Sequence, residues 1–269
     1  MRDSKYPLEK FEILSFLITS LVFLFFLTII SFIVVGGFSS ISKVFFSKEI
    51  RFSIGLSLLT ATISTLIAIV IAIFISFYLE KVKFIKSPII STIIELPLSL
   101  PYLVIGLSLL LIFSSPLGKT LRNMGIPVIF SPIGIVVAQL TVNLPYAIKL
   151  IRSELTKLDS RLEFTASILG ANRTQTFFAI TLPQIRVSII IAFALCWQRA
   201  IGEFGATLML VGITAMKTET LPGAIYLNIA TGDTDMALAA ALIMLFFCLV
   251  TLLITTILQK KIKVKSRYD

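Results

Sequence analysis

The chain has 269 residues, of which 57% are hydrophobic and 14% charged, with a mean hydropathy of +1.01 and a net charge of +10. Soluble domains average about 45–50% apolar and about 25% charged residues, so a soluble fold is excluded and an all-α, polytopic membrane protein is expected. There is no histidine, and the two cysteines, Cys196 and Cys248, lie in separate apolar runs; this leaves little from which to build a disulfide framework, a metal site or a histidine base, and no cofactor is expected.

A bilayer-crossing helix needs about 20 apolar residues, and six stretches reach that length. In chain order they are Ile13–Val35, Ser53–Leu79, Ile89–Phe113, Val128–Leu150, Val187–Val211 and Met236–Leu258. The first is too long for a signal-peptide core and lacks a small-residue cleavage site, so it reads as a retained anchor. Pro97, Pro101 and Pro145 fall inside spans, where a missing backbone donor bends a helix. Such a bend serves a moving gate, or is a kink with no function. Between spans, Gly118-Lys119-Thr120 has the ending of a phosphate-binding loop, but that motif needs a glycine five residues earlier, where Phe113 stands. The chain therefore carries no nucleotide site and is read as not an enzyme.

Basic residues set the orientation, because loops rich in lysine and arginine stay in the cytoplasm. The N-terminus (Arg2, Lys5, Lys10), second loop (Lys81, Lys83, Lys86), fourth loop and tail together hold 17 of them, against 6 in the opposite loops. Both termini should face the cytoplasm. The charge excess is read as orientation, with lipid as the surrounding partner and no nucleic-acid partner.

The fourth loop, 151–186, is then the largest cytoplasmic segment and too short for a domain of its own, so residues 1–269 form a single transmembrane domain. Ser160 and Glu163 have capping-box spacing and predict a helix start. Leu162, Ala166 and Leu169 share a face, and Gly170 suits the left-handed residue that closes such a helix. Asn172 with Gln175 predicts a second short helix, which Pro183 is expected to end. Two short helices about a glycine elbow fit an interfacial helix lying on lipid, or a dock for a cytoplasmic protein through Phe177 and its neighbours.

The spacing from Gly170 across nine residues to Ile180, Thr181, Leu182 and Pro183 resembles the G-x9-I-x-L-P part of the EAA loop in permease subunits of ABC importers. The chain is similar to that family over nearly its whole length. The resemblance implies that 151–186 forms coupling helices on a separate ATP-hydrolysing subunit, through Glu163, Ala166, Gly170, Ala171, Phe177, Ile180, Leu182 and Pro183. One departure stands out: the Glu-Ala-Ala positions are occupied by Phe164, Thr165 and Ala166, with the glutamate displaced to Glu163, which then serves as a helix cap or as a partner contact.

"RAIGEFGATLMLVG" at 199–212 and "TETLPGAIY" at 218–226 resemble the molybdate/tungstate branch. The resemblance implies a homodimeric permease with two ATPase subunits and an external oxyanion-binding protein; a sulfate or thiosulfate permease is the alternative. Arg199 and Glu203, four apart on one predicted helix, form an ion pair, or Arg199 draws an oxyanion inward while Glu203 prevents tight retention. Gly202 and Gly205 permit close helix approach beside them. With Thr207 they are placed on the pathway or a subunit interface. An ion-coupled carrier would need inverted repeats and more ionisable residues in its spans than this pair and Glu95. A non-transporting scaffold is the remaining rival.

Overall fold

The computed structural model describes residues 10–81 and 88–265, and among these the chain is helical with no strand. The basic residues Arg2, Lys5, Lys83, Lys86 and Arg267, used above for orientation, lie outside the described residues. Five helices are long and apolar enough to cross a bilayer, with a sixth span if one bent pair is counted as a unit.

Helices α1 (Lys10–Phe46) and α2 (Lys48–Lys81) extend well past the apolar runs from which they were inferred. Once a helix is nucleated, each further residue adds a hydrogen bond, and lysine is a good helix former. The last helix, α12 (Thr234–Lys265), likewise continues into the basic tail.

The third predicted span is broken. Helix α3 (Pro88–Glu95) passes through a 3-10 turn at Leu96–Leu98 into α4 (Tyr102–Ser114), and the two arms are bent by 105°. Pro97 and Pro101 explain it: neither can donate to the helical ladder, and Pro101 takes the extended conformation (φ −58°, ψ 135°) that starts α4 afresh. A short α5 (Pro116–Asn123) then leads to α6 (Pro132–Leu155), started by the Ser131 side chain and continuous through Pro145.

Beyond α6 come α7 (Ser160–Ile168), α8 (Arg173–Thr176), a π turn at Phe177–Thr181 and α9 (Leu182–Ile201). Contrary to the expectation from the sequence, Pro183 does not end the second short helix. The π turn widens the backbone just before it, and the chain passes into α9 with Pro183 in the first turn, where a missing donor costs least. The fifth span also stops earlier than predicted, at Ile201, and α10 (Gly205–Val211) and α11 (Leu221–Ala230) follow before α12.

Helix α2 organises the bundle. Lipid offers no hydrophobic drive for helix association, so small side chains and interhelical hydrogen bonds must supply it. Along one face α2 presents buried Ser53, Ser57, Thr60, Ala61, Ser64, Ala68 and Ala72. Ser64 donates to the side-chain Oε1 of Gln139 (3.0 Å), the Gln139 Nε2 donates onward to the Ala200 backbone carbonyl (3.0 Å), and Ser76 donates to the Ile148 backbone carbonyl (3.1 Å). These bonds join α2, α6 and α9. Helix α1 stands apart, packed on α12 where Gly36 and Gly37 receive Leu238.

Candidate functional site

The elbow between α6 and α9 is built by local chemistry. Asp159, rather than Ser160, starts α7, by accepting from the Arg161 N–H (2.9 Å). A carboxylate one residue earlier does this job, and Ser160 becomes the first helical residue. Glu163 is turned instead to the other arm of the elbow, where it accepts from the Thr181 hydroxyl (2.9 Å). Gly170 has φ +86°, and its N–H bonds to Ser167 O (3.1 Å) while Ala171 N–H bonds to Ala166 O (3.0 Å). This is the paired closure of a Schellman motif. Asn172 and Gln175 form a reciprocal capping box, at 2.8 and 2.9 Å.

The elbow residues divide into two groups. Phe177 is buried, its ring 4.5 Å from that of Phe77 on α2, and holds the elbow to the bundle; Ala166 is also buried. Glu163, Ala171, Ile180 and Leu182 are half-buried, and Gly170 and Pro183 are exposed. The large apolar surface facing outward comes from other residues: Leu162, Phe164, Ile168, Leu169 and Phe178 are each more than half exposed. Leu162 and Leu169 therefore do not share a buried face with Ala166. A cavity of about 230 Å3 lies under the elbow, lined by Phe77, Glu163, Ser167, Arg173, Phe177 and Thr181 among others.

At the far end of α9 the chain breaks again, and here the predicted Arg199–Glu203 pair does not form. The helix ends at Ile201, so the two residues no longer share a face. Glu203 is only 2% exposed and turns forward to start α10, accepting from Ala206 N–H (2.7 Å), Thr207 N–H (3.1 Å) and the Thr207 hydroxyl. Thr207 is thereby buried on Glu203. Arg199 turns to two tyrosines: its guanidinium donates to the Tyr102 hydroxyl and lies 5.3 Å and 5.0 Å from the ring centres of Tyr102 and Tyr146. No carboxylate among the described residues forms an ion pair with it, and its Nε is buried without a partner.

The glycines of this region give space rather than conformation. A Cβ on Gly205 would stand 3.2 Å from Tyr102 Cβ, one on Gly106 would stand 2.6 Å from Ala206 O, and one on Gly202 would meet only the flexible end of Met244. The arms α4 and α10, each beginning at a break, thus lie directly against each other.

The second motif, 218–226, folds against α2: Leu221 N–H donates to Ser57 (2.7 Å) and Thr218 braces the loop after Gly212. Glu219 is 3% exposed in this loop. Burial pushes its carboxyl above the ordinary range; the Met216 N–H opposes that, and Glu49 adds to the rise.

Tyr102, Tyr146, Phe77 and Gln139 were not singled out from the sequence. Tyr102 directly follows Pro101, and a residue that opens a new helix at a proline break was the available signal.

The family described as binding-protein-dependent transport system inner membrane component matches residues 68–264. The chain is 35% identical to the molybdenum transport system permease protein ModB of Haemophilus influenzae over 217 residues, covering 79% of this chain and 95% of that one. It is 30% identical over 233 residues to the sulfate transport system permease protein CysW of Synechococcus elongatus, covering 86% and 82% respectively. A bacterial alginate ABC transporter, solved in complex with an alginate pentasaccharide-bound periplasmic protein, has a chain of the same fold, with a TM-score of 0.72 at 18% identity, over 91% of this chain and 92% of that one.

Proposed function

The chain belongs to the binding-protein-dependent transport system inner membrane components, the permease subunits of ABC importers, and on that premise we propose that it forms the translocation path for molybdate or tungstate. The permease is not itself an ATPase; hydrolysis belongs to a separate subunit of the transporter, and a substrate-binding protein delivers the cargo.

The observation that carries the substrate class is Arg199. A cation within a span is costly unless it is paired or put to use, and this one is caged by neutral aromatic rings instead of being neutralised by Glu203. A guanidinium in such a setting suits a tetrahedral dianion, which offers acceptors on every side. Aromatic faces attract the cation without cancelling its charge. The somewhat higher identity to the molybdenum permease than to the sulfate permease favours molybdate or tungstate over sulfate.

The elbow is the surface for the ATPase subunits. Its exposed Leu162, Phe164, Ile168, Leu169 and Phe178 supply apolar anchors, while Glu163, Gly170, Ala171, Ile180, Leu182 and Pro183 shape the turn that presents them. Phe177 acts from behind, fixing the turn to the bundle, and Ala166 is buried within the turn. The permease is a homodimer with both termini in the cytoplasm.

Reconstitution with the ATPase subunit and the binding protein tests this reading, with uptake of molybdate, tungstate and sulfate measured at matched concentration. ATP-dependent molybdate or tungstate uptake that exceeds sulfate uptake is expected, and sulfate exceeding both would transfer the chain to the other branch. A cysteine at Arg173 should react with an impermeant reagent only when the inner face is opened; labelling in intact cells would reverse the orientation.

A further inference from the structure

We infer that the hydroxyl of Tyr102 is a latch on Arg199, closing the seam between the two broken spans until an oxyanion competes for the same guanidinium. This rests on the reading of Arg199 as a pathway residue. Three observations meet at this point. The two spans that break do so next to each other: α4 begins at Tyr102, α9 ends at Ile201, and α10 begins at Gly205. The arms are in contact along their length, through Gly106 on Ala206 and Gly205 on Tyr102. Across this seam, Arg199 on α9 makes a polar bond to Tyr102 on α4.

The chemistry of the latch makes it reversible. A phenol is a neutral acceptor, so its bond to a guanidinium is weaker than the ion-to-ion bonds an oxyanion, itself charged, would make. Arg199 also keeps a buried Nε donor unpartnered, and a planar fork with a donor to spare gains more from an anion, which can accept from two nitrogens, than from one hydroxyl. An arriving dianion therefore displaces Tyr102 and frees α4 from the end of α9. Tyr146, on α6, keeps its ring against the cation and holds Arg199 in place while the partner changes. Tyr102 is a positioning residue in this scheme: it acts through Arg199.

The test uses the assembled transporter in proteoliposomes, with labelled molybdate and sulfate as probes. Tyr102→Phe keeps the ring, the cation–ring contact and the packing on Gly205, and removes only the hydroxyl. Loss of a hydrogen bond to a charged group corresponds to about a tenfold or greater change in an equilibrium, so anion flux without ATP should rise on the order of tenfold. In an Arg199→Gln background the same tyrosine change should add nothing, because the hydroxyl no longer has a charge to hold. Flux in Tyr102→Phe equal to the parent, or an equal effect of Tyr102→Phe in both backgrounds, overturns the latch. The pathway reading fails separately, if Arg199→Gln alone leaves ATP-driven uptake of both anions unchanged.

Discussion

Two different kinds of turn lie on either side of helix α9, one before it at the elbow and one after it. At one end, the elbow reverses the chain with a backbone device: Gly170 sits at positive φ, in the open, with nothing within 4 Å of where its side chain would be. At the other end, the break after Ile201 uses a side-chain device: buried Glu203 starts α10, and the nearby glycines are there because Tyr102 and Ala206 occupy the space a side chain would need. The difference follows from solvent. An exposed turn can leave backbone groups to water and needs only the right dihedral angle, whereas a turn inside a membrane must satisfy each donor internally. Glycine thus means conformation at one end and room at the other.

The sharpest way to break this comparison is to remove the carboxyl at the buried end. Glu203→Ala orphans two buried N–H groups and the Thr207 hydroxyl, and should destabilise the protein by about 2–4 kcal/mol, read as a lowered melting temperature in detergent together with lost uptake. Glu203→Gln, which keeps an acceptor, should lie between the two. If Glu203→Ala melts like the parent, water reaches the break and the contrast with the elbow disappears.

The two kinds of glycine are separated by one pair of substitutions. Gly106→Ala forces a Cβ onto the Ala206 carbonyl and should cost about 1–3 kcal/mol, and Gly106→Asn should be worse. At Gly170 the order is reversed: Ala or Val costs about 1 kcal/mol or somewhat more through the left-handed conformation alone, while Asn, which tolerates that conformation, should restore most of it. On the proposed docking role of the elbow, Gly170→Val should nevertheless abolish ATP-driven uptake and weaken retention of the ATPase subunit in pull-down. Normal assembly and coupled uptake in that variant would make the segment a simple membrane-surface helix.

The smallest effect is expected at Glu219, as a dependence on pH. Its folded pKa is raised, so its favourable contribution is fully present below the ordinary carboxylate pKa and is lost as pH rises through the raised value. Glu219→Gln should therefore match the parent at acidic pH and melt a few degrees higher at alkaline pH. Parallel melting curves for the two proteins across that range would show that Glu219 is solvated.

Where the sequence was legible, one local rule acted alone. Gly170 and the Asn172/Gln175 box are set within a few residues and came out as read. Pro97 and Pro101 announced a bend but not one of 105°. The Arg199–Glu203 pairing failed because it assumed a helix through Gly202, and the chain there has a stronger alternative in Glu203 bonding forward to α10. Asp159 took the capping role expected of Ser160, leaving Glu163 for Thr181 across the elbow. Helical periodicity does not reveal that Phe177 would meet Phe77, a hundred residues earlier. That contact depends on α2 and α9 sharing one end of the bundle.

The π turn at Phe177–Thr181 has a consequence for azimuth. A π turn holds about one more residue than an α-helical turn, and each residue advances a helix by about 100°. The extra residue is therefore absorbed within one revolution, and everything downstream on α9, roughly 30 Å along its axis for 20 residues, keeps the compass bearing it would have without it. Deleting one residue from the turn would relax it to a regular helical turn and leave Arg199 facing Tyr102 and Tyr146, whereas deleting one residue from the regular part of α9 before Arg199 would swing it through about a quarter turn, away from both rings. The widened turn takes up an added residue before it can change the direction in which that distant cation points.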